Sequence, residues 1–228
     1  EEMLAALQTE LDAAKGDESI RVVVLAATGK AFCAGHDLKQ MRAEPSEDYY
    51  KTLFNQCSKL MLTIPQMPQP VIARVQGIAT AAGCQLVAMC DLAVAASDAR
   101  FAVSGINVGL FCSTPAVGLS RNVGRKEAME MLLTGDFIDA ATARERGLVN
   151  RVVAADQLDA EIAQLAAAIV AKPAVAVAMG KQLFYKQLEM GIAAAYQLAG
   201  QTMACNMMDA AAQEGVQAFV DKRKPDWR

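Results

Sequence analysis

Two runs that are apolar at successive positions constrain this chain most: "IRVVVLAATG", residues 20–29, and "PVIARV", residues 70–75. A strand with one wet face alternates apolar with polar residues. A run without alternation suits a strand covered on both faces, as in a parallel sheet. Parallel strands need long crossovers, and helical patterns lie between these runs. Residues 3–14 place Leu4, Leu7 and Leu11 on one face, and residues 47–62 form a more polar helix that Pro65, Pro68 and Pro70 are expected to break. Residues 83–90 read as a helix, "LAVAAS" (92–97) as a third strand and residues 101–103 as a fourth. Helices follow over 126–133 and 139–146, the latter ending at Gly147, then a short strand in "LVNRVV". After Ala155 nearly everything is helical: to about residue 170, then 174–189, 192–210 and 213–222. The pattern predicts an α/β core over residues 1–155 and a helical region over 156–228.

Composition narrows the partners. With 54% hydrophobic residues the chain has apolar side chains enough for one sizeable core. A net charge of -3 gives no reason to expect nucleic acid. No apolar run approaches the roughly 18 residues that span a bilayer, so no membrane partner is expected. Six cysteines without a C-x-x-C pair, and a single histidine, do not fit the usual zinc spacings, and no metal is expected. The cysteines read as free thiols of a reducing compartment. The chain opens at Glu1 without a Met. The expectation is cytoplasm, with the mitochondrial matrix as the alternative.

The chemistry concentrates in two small-residue loops, each following a predicted strand: residues 30–37 and 77–83. Small residues let the backbone approach a ligand, so that N–H groups make the contact. A helix starting near Ala82 aims its positive end at the same place. Two N–H groups converging from separate strand ends are what an oxyanion hole requires, although small-residue turns are more often structural. Neither loop carries a dinucleotide or P-loop motif, and no G-x-S-x-G elbow is present.

Four stretches in order, "GKAFCAGHDLKQM", "PQPVIARVQGIATAAGCQLVAMCDLAVAASDARFAVSGINVGL", "VGRKEAMEMLLTGDFIDAATARERGLVNRVV" and "EGVQAFVDKRKPDW", resemble the enoyl-CoA hydratase/isomerase (crotonase) superfamily over nearly the whole chain. The resemblance implies an α/β spiral of ββα units, with the family's first strand pair missing here and the C-terminal helices trimerising. It implies a homotrimer, with a hexamer built as a dimer of trimers as the alternative. It implies an acyl-CoA thioester as ligand, with coenzyme A arriving as part of the substrate and no separate cofactor. The thioester oxygen would accept from the backbone N–H groups of His36 and Ala82. Contacts to coenzyme A would come from Lys30, Ala34, His36, Asp37, Leu38 and Lys39, and from Phe219 and Lys222 of a neighbouring subunit.

This chain departs from the hydratase pattern at two places. The family's first glutamate position holds Gln85, and its second falls at Gly105. An amide holds a water but does not accept a proton at neutral pH, and glycine offers nothing. Groups of that kind commonly supply about 10²–10⁴-fold each, so two-glutamate hydration is expected to be very slow. The glycine triplet before the helix is Ala81-Ala82-Gly83, and a positive φ there would strain alanine by roughly 1–2 kcal/mol. Ser104, Asn107, Cys112, Ser113 and Thr114 surround an altered turn and would give a more polar acyl pocket or be ordinary loop residues. His36 would offer its imidazole or only its backbone. Asp37 reads as a loop anchor, and Arg74 and Asp91 as structural charges.

Overall fold

The computed structural model describes residues 1–43 and 45–227. Helix α1 (Glu2–Gly16) precedes a strand pair, β1 (Val23–Leu25) and β2 (Ala31–Cys33), which leads into α2 (Leu38–Ala43) and α3 (Glu47–Gln66). A second pair, β3 (Val71–Val75) and β4 (Ile78–Thr80), leads into α4 (Ala82–Met89). The third, β5 (Leu92–Ala96) and β6 (Arg100–Ala102), leads through a 3-10 turn at Ser104–Val108 into α5 (Ser113–Leu119) and α6 (Arg125–Thr134). Then come β7 (Ile138–Asp139), α7 (Ala140–Glu145), β8 (Arg151–Val153), α8 (Leu158–Val170), α9 (Ala174–Leu188), α10 (Ile192–Met207) and α11 (Ala210–Val220).

The strands of each pair part company. The first members join one parallel sheet in the order β1-β3-β5-β8, and the second members join another, β2-β4-β6-β7. Only β7 runs antiparallel to its neighbour. Each ββα unit therefore advances one step along both sheets, which is the α/β spiral. The small-residue loops, expected to be irregular, each hold a three-residue strand, β2 and β4, paired Ala31 to Ile78. Strands so short leave too few positions to show a period in sequence.

The run at residues 70–75 is covered on both faces, as expected. Val71, Ala73 and Val75 face one apolar cluster with α3 and α4, while Ile72 faces a second with Leu158, Ile162 and Leu165 of α8. In β5, Ala93 and Ala95 join the first cluster, and Val94 and Ala96 the second. The edge strand β1 is the exception, with Val24 exposed.

Helix α3 corrects one expectation: it continues through Pro65 to Gln66. The proline sits in the last turn, where its fixed φ suits the helix and only one bond is lost. Ser46 caps its start by accepting from the Tyr49 amide at 3.2 Å, and Leu53, Cys57, Leu60, Met61 and Ile64 form its buried stripe. All six cysteines are free thiols. No single helix among the described residues is long and apolar enough to cross a membrane.

Asp91, at the end of α4, anchors the C-terminal region. Its carboxylate accepts from the Val71 amide (2.6 Å), Tyr185 Oη (2.8 Å) and Lys181 Nζ (2.6 Å). Lys181 also donates to the carbonyls of Ile64 and Gln69, at 2.8 Å each. Its ammonium is thus fully paired, although burial still lowers its pKa. Arg74 donates to Asp159, tying β3 to α8. Both charges are structural, as read from sequence.

Candidate active site

The site forms where the two small-residue loops meet. After β2 the chain turns at Gly35, whose φ of +92° excludes most side chains. Asp37 then holds the loop by accepting from the amides of Lys39 (2.8 Å) and Gln40 (3.3 Å), which starts α2. Across the gap Ala81 opens α4 with φ +51° and ψ −121°, and its carbonyl accepts the first helical bond from Gln85. The positive φ considered for alanine is therefore present.

Glycines let these loops touch. A Cβ on Gly83 would overlap the carbonyl of Cys33, and one on Gly35 would lie 3.2 Å from the Ala82 nitrogen. The backbone at residues 35–36 is thereby brought against the first turn of α4. Ala82 is the first residue of that helix, where N–H groups have no intrahelical acceptor. Two cavities, of about 360 and 610 Å³, share His36, Met41 and Ala82 in their walls. Both cavities therefore adjoin the start of α4, the positive end of that helix.

The imidazole of His36 does not point to solvent. It packs edge-on to Phe54 with centroids 5.6 Å apart, and its Nε2 is buried without a partner. Burial lowers its pKa, so the ring is neutral near pH 7. Phe54 escaped sequence reasoning because the helix 47–62 read as polar. The signal was the three-to-four spacing of its few apolar residues.

The surroundings of Gln85 and Gly105 differ. Gln85 is 4% exposed, lines neither cavity, and its Oε1 has no hydrogen-bond partner. Gly105 does line the smaller cavity. However, a Cβ there would sit 2.5 Å from the Leu110 carbonyl oxygen and 2.8 Å from Cys112 Sγ. The sulfur accepts from the Gly105 amide at 3.3 Å and occupies the space a side chain would need. Burial raises the Cys112 pKa, which keeps the thiol protonated.

The other candidates divide. Ala34, Leu38, Ser104, Ser113 and Thr114 line the smaller cavity, and Asp37 the larger. Ser104 Oγ is already bonded to Thr80 Oγ1 at 2.8 Å. Asn107 turns away to donate to the Gly135 carbonyl. Lys30, Lys39, Phe219 and Lys222 are exposed and line neither cavity; Phe219 is 85% exposed. Among the described residues no cluster of His, Cys, Asp or Glu is arranged to hold a metal.

Comparison with known proteins identifies the family and the fold. The family model described as enoyl-CoA hydratase/isomerase matches residues 1–228. A solved enoyl-CoA hydratase from Mycobacterium smegmatis is 68% identical with a TM-score of 0.98, covering 99% of this chain and 88% of that one. The human enoyl-CoA hydratase domain-containing protein 3 is 46% identical with a TM-score of 0.95, over 99% of this chain and 89% of that one. Its rat counterpart, named mitochondrial, is 45% identical over 99% of this chain and 75% of the relative. The fold is the crotonase fold, and the chain belongs to the enoyl-CoA hydratase/isomerase family.

Proposed function

We propose that this protein binds an acyl-CoA thioester with the carbonyl oxygen between the amides of His36 and Ala82, and that it has lost two-glutamate hydration. The observation that carries this reading is Gly105: the backbone beside the donors is kept, while the second acid position is closed by Leu110 and Cys112. At the first position a buried amide lines neither cavity. The two N–H groups would polarise the thioester and stabilise its enolate, each contributing roughly 3–4 kcal/mol. Proton transfer would fall to His36, to a water, or to another group near the cavity. Enolate chemistry leaning mainly on the two amides, such as decarboxylation or double-bond isomerisation, needs the fewest extra groups.

Coenzyme A would arrive with the substrate, and no resident cofactor is proposed. Lys30 and Lys39 are available for its phosphates, with Phe219 and Lys222 contributed from a neighbouring subunit. The C-terminal helices support a homotrimer, or a hexamer of two trimers: Ile192, Tyr196, Met203 and Met208 stand 68–77% exposed on and beside α10. The mitochondrial names of the vertebrate relatives favour the matrix over the cytoplasm as the compartment. The enclosed Gly105 equally favours a second reading, a non-catalytic acyl-CoA sensor.

Calorimetric titration tests the binding claim. Crotonyl-CoA should bind more tightly than coenzyme A, and a carbonyl ¹³C label should shift as the two amides polarise it. Equal affinity for crotonyl-CoA and free coenzyme A, with no carbonyl shift, would remove the oxyanion site and both readings.

A further inference from the structure

The smaller cavity constrains the acyl group. At about 360 Å³ it lies near the low end of ligand pockets, which run from about 300 to 1,000 Å³. Its inner wall includes Met41, Phe54, Cys112 and Pro115, beside His36 and Ala82. No Lys, Arg, Asp or Glu lines it. Its polar side chains are few: Ser104 is bonded to Thr80, Ser113 Oγ contacts the Phe111 carbonyl, and Thr114 adds a hydroxyl. No cationic side chain in that lining balances an anion. The larger cavity is no more welcoming to one, since it carries Glu1, Glu2 and Asp37 and no Lys or Arg.

Four more lining residues are large, apolar and wet. Leu38 is 54% exposed, Val108 64%, Leu110 45% and Phe111 39%. They continue the apolar wall outward from the amide pair, and an apolar chain held by its thioester would cover them. Each methylene so buried contributes about 0.8 kcal/mol, or roughly fourfold in affinity. A carboxylate held against the buried inner wall of Met41, Cys112 and Pro115 would lose its water without gaining a cationic side chain, an unfavourable exchange.

Resting on the thioester reading above, we infer that the site selects acyl-CoAs whose chain is uncharged and reaches outward over Leu38 and Val108, and rejects chains ending in a carboxylate. The experiment is a set of calorimetric titrations with coenzyme A and its butyryl, hexanoyl, octanoyl and adipyl thioesters. Hexanoyl-CoA should bind roughly 15-fold more tightly than butyryl-CoA, by two methylenes at about fourfold each. Adipyl-CoA, of the same chain length as hexanoyl-CoA, should bind at least about 30-fold more weakly than it. Val108→Lys places a cation on an exposed position of the 3-10 turn, where folding is not at risk. It should recover roughly tenfold for adipyl-CoA relative to hexanoyl-CoA. Equal affinities for hexanoyl- and adipyl-CoA, or no change from butyryl to octanoyl, overturn the selectivity while leaving thioester binding intact. Failure of every thioester to bind better than coenzyme A overturns the thioester reading itself, and this inference with it.

Discussion

Returning a glutamate to position 85 tests whether the site is still built for an acid. Gln85 is 4% exposed and its Oε1 has no partner, so at least one oxygen of the Gln85→Glu carboxylate would be formed without water or a donor. Full burial raises a carboxyl pKa by about 3–5 units. The position is in the first turn of α4, whose positive end returns at most about 2 kcal/mol, or about 1.5 units. The net rise is about 2–3 units above the unfolded value of about 4.3, placing the group near 6–7. The folded state then holds more protons than the unfolded one between those values. Stability must therefore fall as pH rises through that window, by roughly 3–4 kcal/mol. Urea unfolding of variant and parent at pH 5 and pH 8, at one protein concentration, isolates this as a difference of differences. A variant equally stable relative to its parent at both pH values would show a solvated or paired carboxylate. The claim that position 85 has lost its acid environment would then be wrong.

Lys181→Met removes the cation from a buried pair and leaves the Asp91 carboxylate and two carbonyls short of a donor. It should destabilise by about 3–5 kcal/mol and lower Tm by roughly 6–20 °C for a chain of this size, with a smaller loss when Asp91→Asn is added; a thermal shift under about 3 °C would contradict the network. His36 has a folded pKa lowered by burial, so its contribution is complete above the unfolded value near 6.5 and is lost as pH falls toward the folded one. His36→Gln should flatten that part of a stability–pH profile, and an unchanged slope would place the ring in water. Ala81→Gly relieves a φ of +51°, worth roughly 1–2 kcal/mol, against about 0.5–1 kcal/mol of glycine entropy. Chemical denaturation should find it neutral to slightly stabilising, and a loss above about 1 kcal/mol would refute the strain.

The fold was legible where burial is two-sided. Val71, Ile72 and Ala73 read as a covered strand because neither face offers a polar residue, and the structure gives each face its own apolar cluster. The strands β2 and β4 were not legible, since three residues of mixed size carry no period. The two loops stood out by their small residues, because close backbone approach demands them, whereas His36 and Ala82 were expected as donors only from the family resemblance. The closure at Gly105 was invisible for a physical reason: it depends on the Leu110 carbonyl and the Cys112 sulfur folding back over the turn. Likewise Lys181 looked like any lysine of an Ala-rich helix, and only the fold brings Asp91 and Tyr185 to it.

The central claim is that the thioester site persists while the hydration machinery does not. Its most direct test is the rate of crotonyl-CoA hydration by the unmodified protein at concentrations where binding is established. On the proposal that Gln85 and Gly105 occupy both acid positions, each acid being worth about 10²-fold or more, kcat/KM should lie at least about 10⁴-fold below that of a two-glutamate member of the family. Hydration within about tenfold of such an enzyme would contradict the account and require another pair of groups to move the protons.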